Sequence, residues 1–159
     1  MSLTRQLAGL AVSIIVCFAV AAVGSALTMP SINTWYAALN KPSWNPPSWV
    51  FGPVWSALYL SMAVAAWMVW RERGFSAAVI PLALFALQLG LNCAWSGLFF
   101  SLHSPWLAFA DIALLWCAIL ATMIAFARVS PLASLLLAPY LIWVSFAAVL
   151  NFTIAKMNA

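Results

Sequence analysis

The chain has 159 residues, 67% of them hydrophobic and only 5% charged, with a formal net charge of +4. An ordinary water-soluble domain, roughly 25% charged, is excluded by that composition. The basic residues are scattered, so the positive balance reads as a topology signal and not as a nucleic-acid surface.

What remains is an all-α integral membrane protein, a single domain over residues 1–159 built as a bundle of five transmembrane helices. The charged positions leave long uncharged runs between them, each sufficient for the roughly 20 residues that cross a bilayer. Span one is expected at about 6–28 and ends at the turn residues Met29-Pro30-Ser31. Its apolar stretch exceeds the roughly 7–15 residues of a signal-peptide core, so it is read as a retained span. A non-helical connection follows at about 29–48, rich in proline and tryptophan. Span two, about 49–70, stops at the cluster RERG (71–74), with Pro53 near its first turn, where a missing N–H is tolerated. Span three, about 76–100, is closed by SLHSP (101–105), whose Ser104 and Pro105 are a helix cap and first helical residue. Span four then covers about 105–127. Ser130-Pro131 repeats the signal and opens span five, about 131–155, which Pro139 should kink, freeing a carbonyl near the pocket inferred below.

Let side A be the face holding the N-terminus. Arg5, Arg71, Arg73 and Arg128 fall there, and Lys41 and Lys156 on side B. This bias places the N-terminus in the cytoplasm for a bacterial inner-membrane protein. Cys17, Cys93 and Cys117 lack any metal-binding or redox spacing and read as small apolar residues. His103 reads as a solvated loop residue, and no metal site is specified.

Polar side chains inside a bilayer are costly unless paired, and so mark functional positions. Trp55 and Tyr59 on span two, Asn92 and Trp95 on span three, Asp111 on span four and Asn151 on span five all fall in the side B half. Helical spacing gathers Gln88, Asn92, Trp95 and Phe99 on one stripe, Trp55, Tyr59 and Met62 on a second, and Tyr140, Trp143, Ala147 and Asn151 on a third. Stripes facing inward would enclose an aromatic-walled cavity with a few fixed donors and acceptors. Belts of interfacial tryptophan account for Trp67, Trp70 and Trp106, and interhelical hydrogen bonding is the competing account of Gln88 and Asn92. The connection 29–48 would lie over the cavity as a lid, stiffened by Pro42, Pro46 and Pro47 and weighted by Trp35, Tyr36, Trp44 and Trp49, with Asn45 among them. Such a pocket suits a large, flat, mostly apolar molecule with its polar edge toward side B. Tetrapyrroles and sterols both fit. No histidine is available to a heme iron, so metal-free porphyrin, or heme held by its ring, fits better.

KPSWNPPSWVFGPVWSALY (41–59), LNCAWSGLFF (91–100), ADIALLW (110–116) and PYLIWVSFAAVLN (139–151) together resemble the TspO/MBR family, the tryptophan-rich sensory proteins of bacteria and the mitochondrial translocator protein or peripheral benzodiazepine receptor. The resemblance covers nearly the whole chain in order. It implies a five-helix bundle, commonly dimeric, that binds porphyrins such as protoporphyrin IX or heme with no required cofactor. In animal members it also implies cholesterol and benzodiazepine-type ligands. Carried over by motif, the ligand-binding positions are Trp55, Tyr59, Asn92, Trp95, Asp111, Trp143, Ala147, Leu150 and Asn151. LNFTIAK (150–156) has Phe152 where the animal cholesterol motif has tyrosine, which counts against cholesterol. Gly90, Ala94 and Gly97 form a small-residue ridge for a homodimer or for packing within one subunit.

A receptor or carrier for tetrapyrrole sensing or transport is expected ahead of an enzyme. The alternatives are light- and oxygen-dependent breakdown of protoporphyrin using Trp55 and Trp143, which some bacterial members are reported to promote, and a ligand-modulated regulatory partner. Alternating access is less natural, because five spans hold no inverted repeat.

Overall fold

The computed structural model describes residues 2–159, and helices are the only regular elements among them. They are α1 (Leu3–Ile32), α2 (Trp35–Ala38), α3 (Ser48–Ala77), α4 (Val79–Ser96), one π-helical turn (Gly97–Ser101), α5 (Pro105–Ala127), α6 (Pro131–Leu135) and α7 (Ala138–Met157). Five stretches are long and apolar enough to span a bilayer: Leu3–Ile32, Ser48–Ala77, Val79–Ser101, Pro105–Ala127 and Pro131–Met157. This is the expected five-helix membrane bundle.

Around the bundle α3 packs on α1, α1 on α4, α4 on α5, and α5 on α6 and α7, while α6 returns to α3 and closes the ring. Toward side B, α3 and α7 stay apart. Aromatic rings bridge the space between them, Phe51 against Trp143 at 5.9 Å and Trp55 against Tyr140 at 6.2 Å between centroids. Toward side A the packing is tight. The alanines Ala63, Ala65 and Ala66 of α3 are buried, and Ser13 Oγ on α1 donates to the Ala63 carbonyl at 2.7 Å. Small residues of this kind let helix backbones approach closely. The Trp70 ring edge lies directly over Gly9, where no side chain would fit.

Several element ends differ from the sequence reading. The first helix runs through Pro30 to Ile32, because that proline removes only one hydrogen bond near the helix end. The buried Ser31 holds the final turn by donating from Oγ to the Phe100 carbonyl at 2.6 Å. The lid therefore begins at residue 33, not 29, and it contains the short helix α2. The RERG cluster ends the apolar run but not the helix. Arg71 lies over the Trp67 ring at 4.6 Å, and the chain breaks only at Gly74, whose φ of +68° favours glycine.

Ser104 and Ser130 precede their helices with proline at the first position, as expected, yet neither hydroxyl caps. Span five breaks at residues 136–137, so Pro139 sits in the first turn of α7 and does not kink its middle. The Leu136 carbonyl at this break accepts from Ser61 Oγ at 2.6 Å, away from the cavity lining.

Candidate ligand-binding cavity

Within the side B half lies a cavity of about 620 Å³, walled by α1, α3, α4 with its π turn, and α7, and roofed by α2. Sequence reasoning named eight positions that line it: Trp55, Tyr59, Asn92, Trp95, Trp143, Ala147, Leu150 and Asn151. The ninth, Asp111, does not reach it. That carboxyl is on the buried face of α5, a helix that contributes no residue to this lining, and its Oδ2 is buried without a hydrogen-bond partner among the described residues. Ile112 and Leu115 of α5 reach only a void of about 10 Å³, shared with Asn92, Trp95 and Ala147.

Two hydrogen-bond chains fix the wall. Tyr59 Oη donates to Asn92 Oδ1 at 2.6 Å, and Asn92 Nδ2 donates to Tyr140 Oη at 2.8 Å, tying α3, α4 and α7 together. Trp95 Nε1 donates to Asn151 Oδ1 at 2.9 Å, and Asn151 Nδ2 donates to the Pro105 carbonyl at 2.8 Å, tying α4, α7 and the start of α5. Both asparagines thus serve as interhelical links as well as lining residues. Trp55 and Trp143 line the cavity from facing helices, and among the described residues no hydrogen bond is seen from either indole N–H. Gln88 lies outside the lining, with Nε2 at 3.9 Å from Met62 Sδ and Oε1 unpartnered.

The π turn has a structural consequence at the site. Widening the helix by one residue per turn re-aims the side chains that follow, and Phe99 and Phe100 both line the cavity from it. Phe99 stacks on Trp95 at 5.2 Å.

The lid residues are distributed differently from the expectation. Tyr36 lines the cavity; Trp35, Trp44, Asn45, Pro46, Pro47 and Trp49 do not. Trp35 packs edge-on to Phe99 and stacks on His103 at 4.4 Å. His103, although exposed, is engaged, its Nε2 lying 3.1 Å from Ser31 Oγ. Trp44 meets Phe146 edge-on, and Asn45 Oδ1 accepts from Tyr36 Oη at 3.1 Å. Burial pushes the Tyr36 phenol above its usual range, with the Asn45 bond acting in the opposite sense, so it stays a neutral donor. Pro47 precedes α3, and Trp49 is 76% exposed on the first turn of that helix, so it covers nothing. Asn158 fastens the lid to α7, accepting from the Asn40 N–H at 3.0 Å and donating to the Asn40 carbonyl at 2.9 Å.

Sequence reasoning missed the contribution of α1, whose Phe18, Ala21, Ser25, Thr28 and Ile32 form one helical stripe along the cavity. Their spacing and the two hydroxyls were the available signal. Gly24 permits the close approach of α4, since a methyl group there would stand 3.3 Å from Ser96 Oγ.

Among the described residues no three His, Cys, Asp or Glu side chains gather as a metal site. The cavity lining holds one thioether, Met29, and no imidazole or thiol.

Residues 13–157 match the TspO/MBR family model. A tryptophan-rich protein TspO from Chlorobaculum tepidum is 48% identical, covering 98% of this chain and 99% of its own. One from Archaeoglobus fulgidus is 43% identical over 94% of this chain and 97% of its own. The translocator protein of Homo sapiens is 46% identical over 78% of this chain and 75% of its own.

Proposed function

This chain belongs to the TspO/MBR family, and we propose that it is a membrane receptor or carrier that holds a porphyrin-type molecule in the side B cavity. The observation that carries this reading is the cavity itself. Its volume of about 620 Å³ falls within the 300–1,000 Å³ usual for sites that engulf one drug-sized ligand. The aromatic side chains of Phe51, Trp55, Trp95, Phe99 and Trp143 suit a flat conjugated ring, and the indole N–H groups of Trp55 and Trp143 are donors suited to its acceptor atoms. Among the described residues the lining holds aromatic side chains in number and, as a soft metal ligand, only the Met29 thioether, so the wall addresses the ring more than a central metal.

The test is a titration of detergent-purified protein with protoporphyrin IX in the dark, followed by tryptophan quenching. Saturable quenching is expected, weakened about ten-fold, or roughly 1.4 kcal/mol, by Trp143→Phe and by Asn92→Ala. Unchanged affinity in both variants would remove this cavity as the site.

Breakdown of the bound porphyrin under light and oxygen is a second reading, favoured by the position of Trp55 and Trp143 together on the cavity wall. An indole can supply an electron to an excited porphyrin without a metal or a general base. Illumination of the complex in air then yields a new absorbing product, lost when both residues become Phe. A spectrum that stays constant in light would leave the receptor or carrier reading alone.

A further inference from the structure

We propose that the cavity admits only uncharged surface, so that ionised carboxylates of an occupant stay outside it, and that Lys41 belongs to the architecture of the lid rather than to the ligand. The inference names the class of molecule for the site and rests on the porphyrin reading for its first probe.

Among the described residues, none that lines the cavity is Asp, Glu, Lys, Arg or His. Its polar groups are hydroxyls, amides and indoles, and most are already committed. Tyr59 and Asn92 bond one another, as do Trp95 and Asn151. Thr28 Oγ1 and Ser56 Oγ donate to carbonyls of their own helices, at 2.8 Å and 2.9 Å. A carboxylate pushed into this space would lose its water and gain no counter-ion, which a low-dielectric interior penalises heavily.

The cation best placed to rescue it is Lys41, which follows α2 in the lid. An ammonium has three N–H donors, and here they meet three carbonyls: Tyr36 at 2.6 Å, Leu39 at 2.9 Å and Ala37 at 3.3 Å. The same nitrogen lies 4.8 Å from the centre of the Tyr36 ring. These carbonyls close a one-turn helix, where the Tyr36 carbonyl also accepts from the Leu39 N–H at 3.3 Å. Drawing Lys41 toward a ligand carboxylate would undo that set together, along with the seat of Tyr36, itself a lining residue. Lys156 is exposed and lies over Phe152 at 5.6 Å, outside the lining. Arg5, Arg71, Arg73 and Arg128 lie toward side A. The favoured occupant is therefore a flat apolar molecule whose buried part carries only neutral acceptors, such as pyrrole nitrogens, esters or amides.

Dissociation constants of the full chain in detergent, measured in the dark for protoporphyrin IX, its dimethyl ester and uroporphyrin, test this. The diacid and diester should agree within about three-fold, and uroporphyrin, with carboxylates on every pyrrole, should bind at least about ten-fold more weakly. A diester more than about ten-fold weaker than the diacid would overturn the inference, as would uroporphyrin binding as tightly as protoporphyrin. Lys41→Met should shift diacid and diester by the same factor, whereas loss confined to the diacid would make Lys41 a counter-ion and overturn the assignment. The comparison on the unmodified chain stands even where that variant loosens the lid. If no porphyrin quenches, the porphyrin reading fails, and the pair pyrenebutanol and pyrenebutyrate, followed by pyrene fluorescence, decides the charge rule alone. The alcohol binding as tightly or more tightly upholds the rule, and the acid binding about ten-fold more tightly overturns it.

Discussion

At the scale of single residues, Asn92 and Asp111 show how far a polar side chain in an apolar helix can be interpreted. Each is buried, at 5% and 8% exposure, and each stands out in the sequence as a cost that must be met. Asn92 meets it by linking Tyr59 to Tyr140, and its amide also lines the cavity. Asp111 does not, because its helix stands behind α4 and α7 and none of the described residues donates to its Oδ2. Sequence spacing located both groups but not the direction each faces, which depends on how α5 is rotated against its neighbours. The prediction is that Asp111→Leu, a change to an apolar side chain of similar reach, stabilises the fold by about 1–3 kcal/mol, the typical penalty of an unpaired buried polar group. It should leave ligand affinity within about two-fold, well under the 1.4 kcal/mol that marks a ten-fold change. A raised midpoint of thermal unfolding in detergent with unaltered porphyrin quenching is the expected pair of results. A lower midpoint or lost affinity would give Asp111 a structural or ligand-binding role.

At the scale of elements, the spans were legible and the helix ends were not, for a definite reason. Hydropathy reports where lipid contact begins and ends, whereas a helix ends where its backbone bonds do. Charged Arg71 and Arg73 thus extend α3 past the apolar stretch, and Pro30 fails to stop α1 because Ser31 anchors the turn beyond it. The π turn and the break at 136–137 have no hydropathy signal at all, since both depend on which carbonyls neighbouring helices accept or leave. The lid is the element on which such tertiary bonds matter most. Trp35, Tyr36 and Leu39 pack its first part on the core around Phe99 and Leu150, whereas farther along Trp44 is 46% exposed, so the paired bonds between Asn158 and the Asn40 backbone carry much of the attachment there. Asn158→Ala removes both. Loss of roughly 1 kcal/mol of hydrogen bonding corresponds to about a five-fold faster exchange of the Asn40 amide by local opening. Amide hydrogen exchange read by mass spectrometry over 39–46, against an unchanged core, checks this, and equal protection in both proteins would assign the hold to Lys41 and Tyr36 instead.

At the scale of the whole molecule, the cavity is a product of four helices and a lid, and three of those helices were legible through their tryptophans, tyrosine and asparagines. The fourth, α1, lines its side mainly with Ala, Gly, Ser and Thr, residues that make room rather than contact and so resemble ordinary span composition. The same small-residue signal, read on α4 and its π turn, divides between two uses. Gly97 faces α1, where an added methyl would stand 3.8 Å from Leu27 Cδ1, whereas Gly90 and Ala94 are exposed, with open space beside Gly90. We propose that outward pair as the contact of a homodimer, since small residues exposed to lipid gain most by letting a second helix approach. Gly90 is two residues from Asn92, hence on nearly the opposite side of the helix, so the contact and the cavity are separable. The double variant Gly90→Ile, Ala94→Ile should therefore be monomeric by light scattering on a detergent-corrected chromatogram and keep porphyrin affinity within about two-fold. A dimer that survives the bulky pair would move the interface to another face. Monomers that also lose affinity would mean that the second subunit holds α4, and through it Asn92, in the position that completes the cavity.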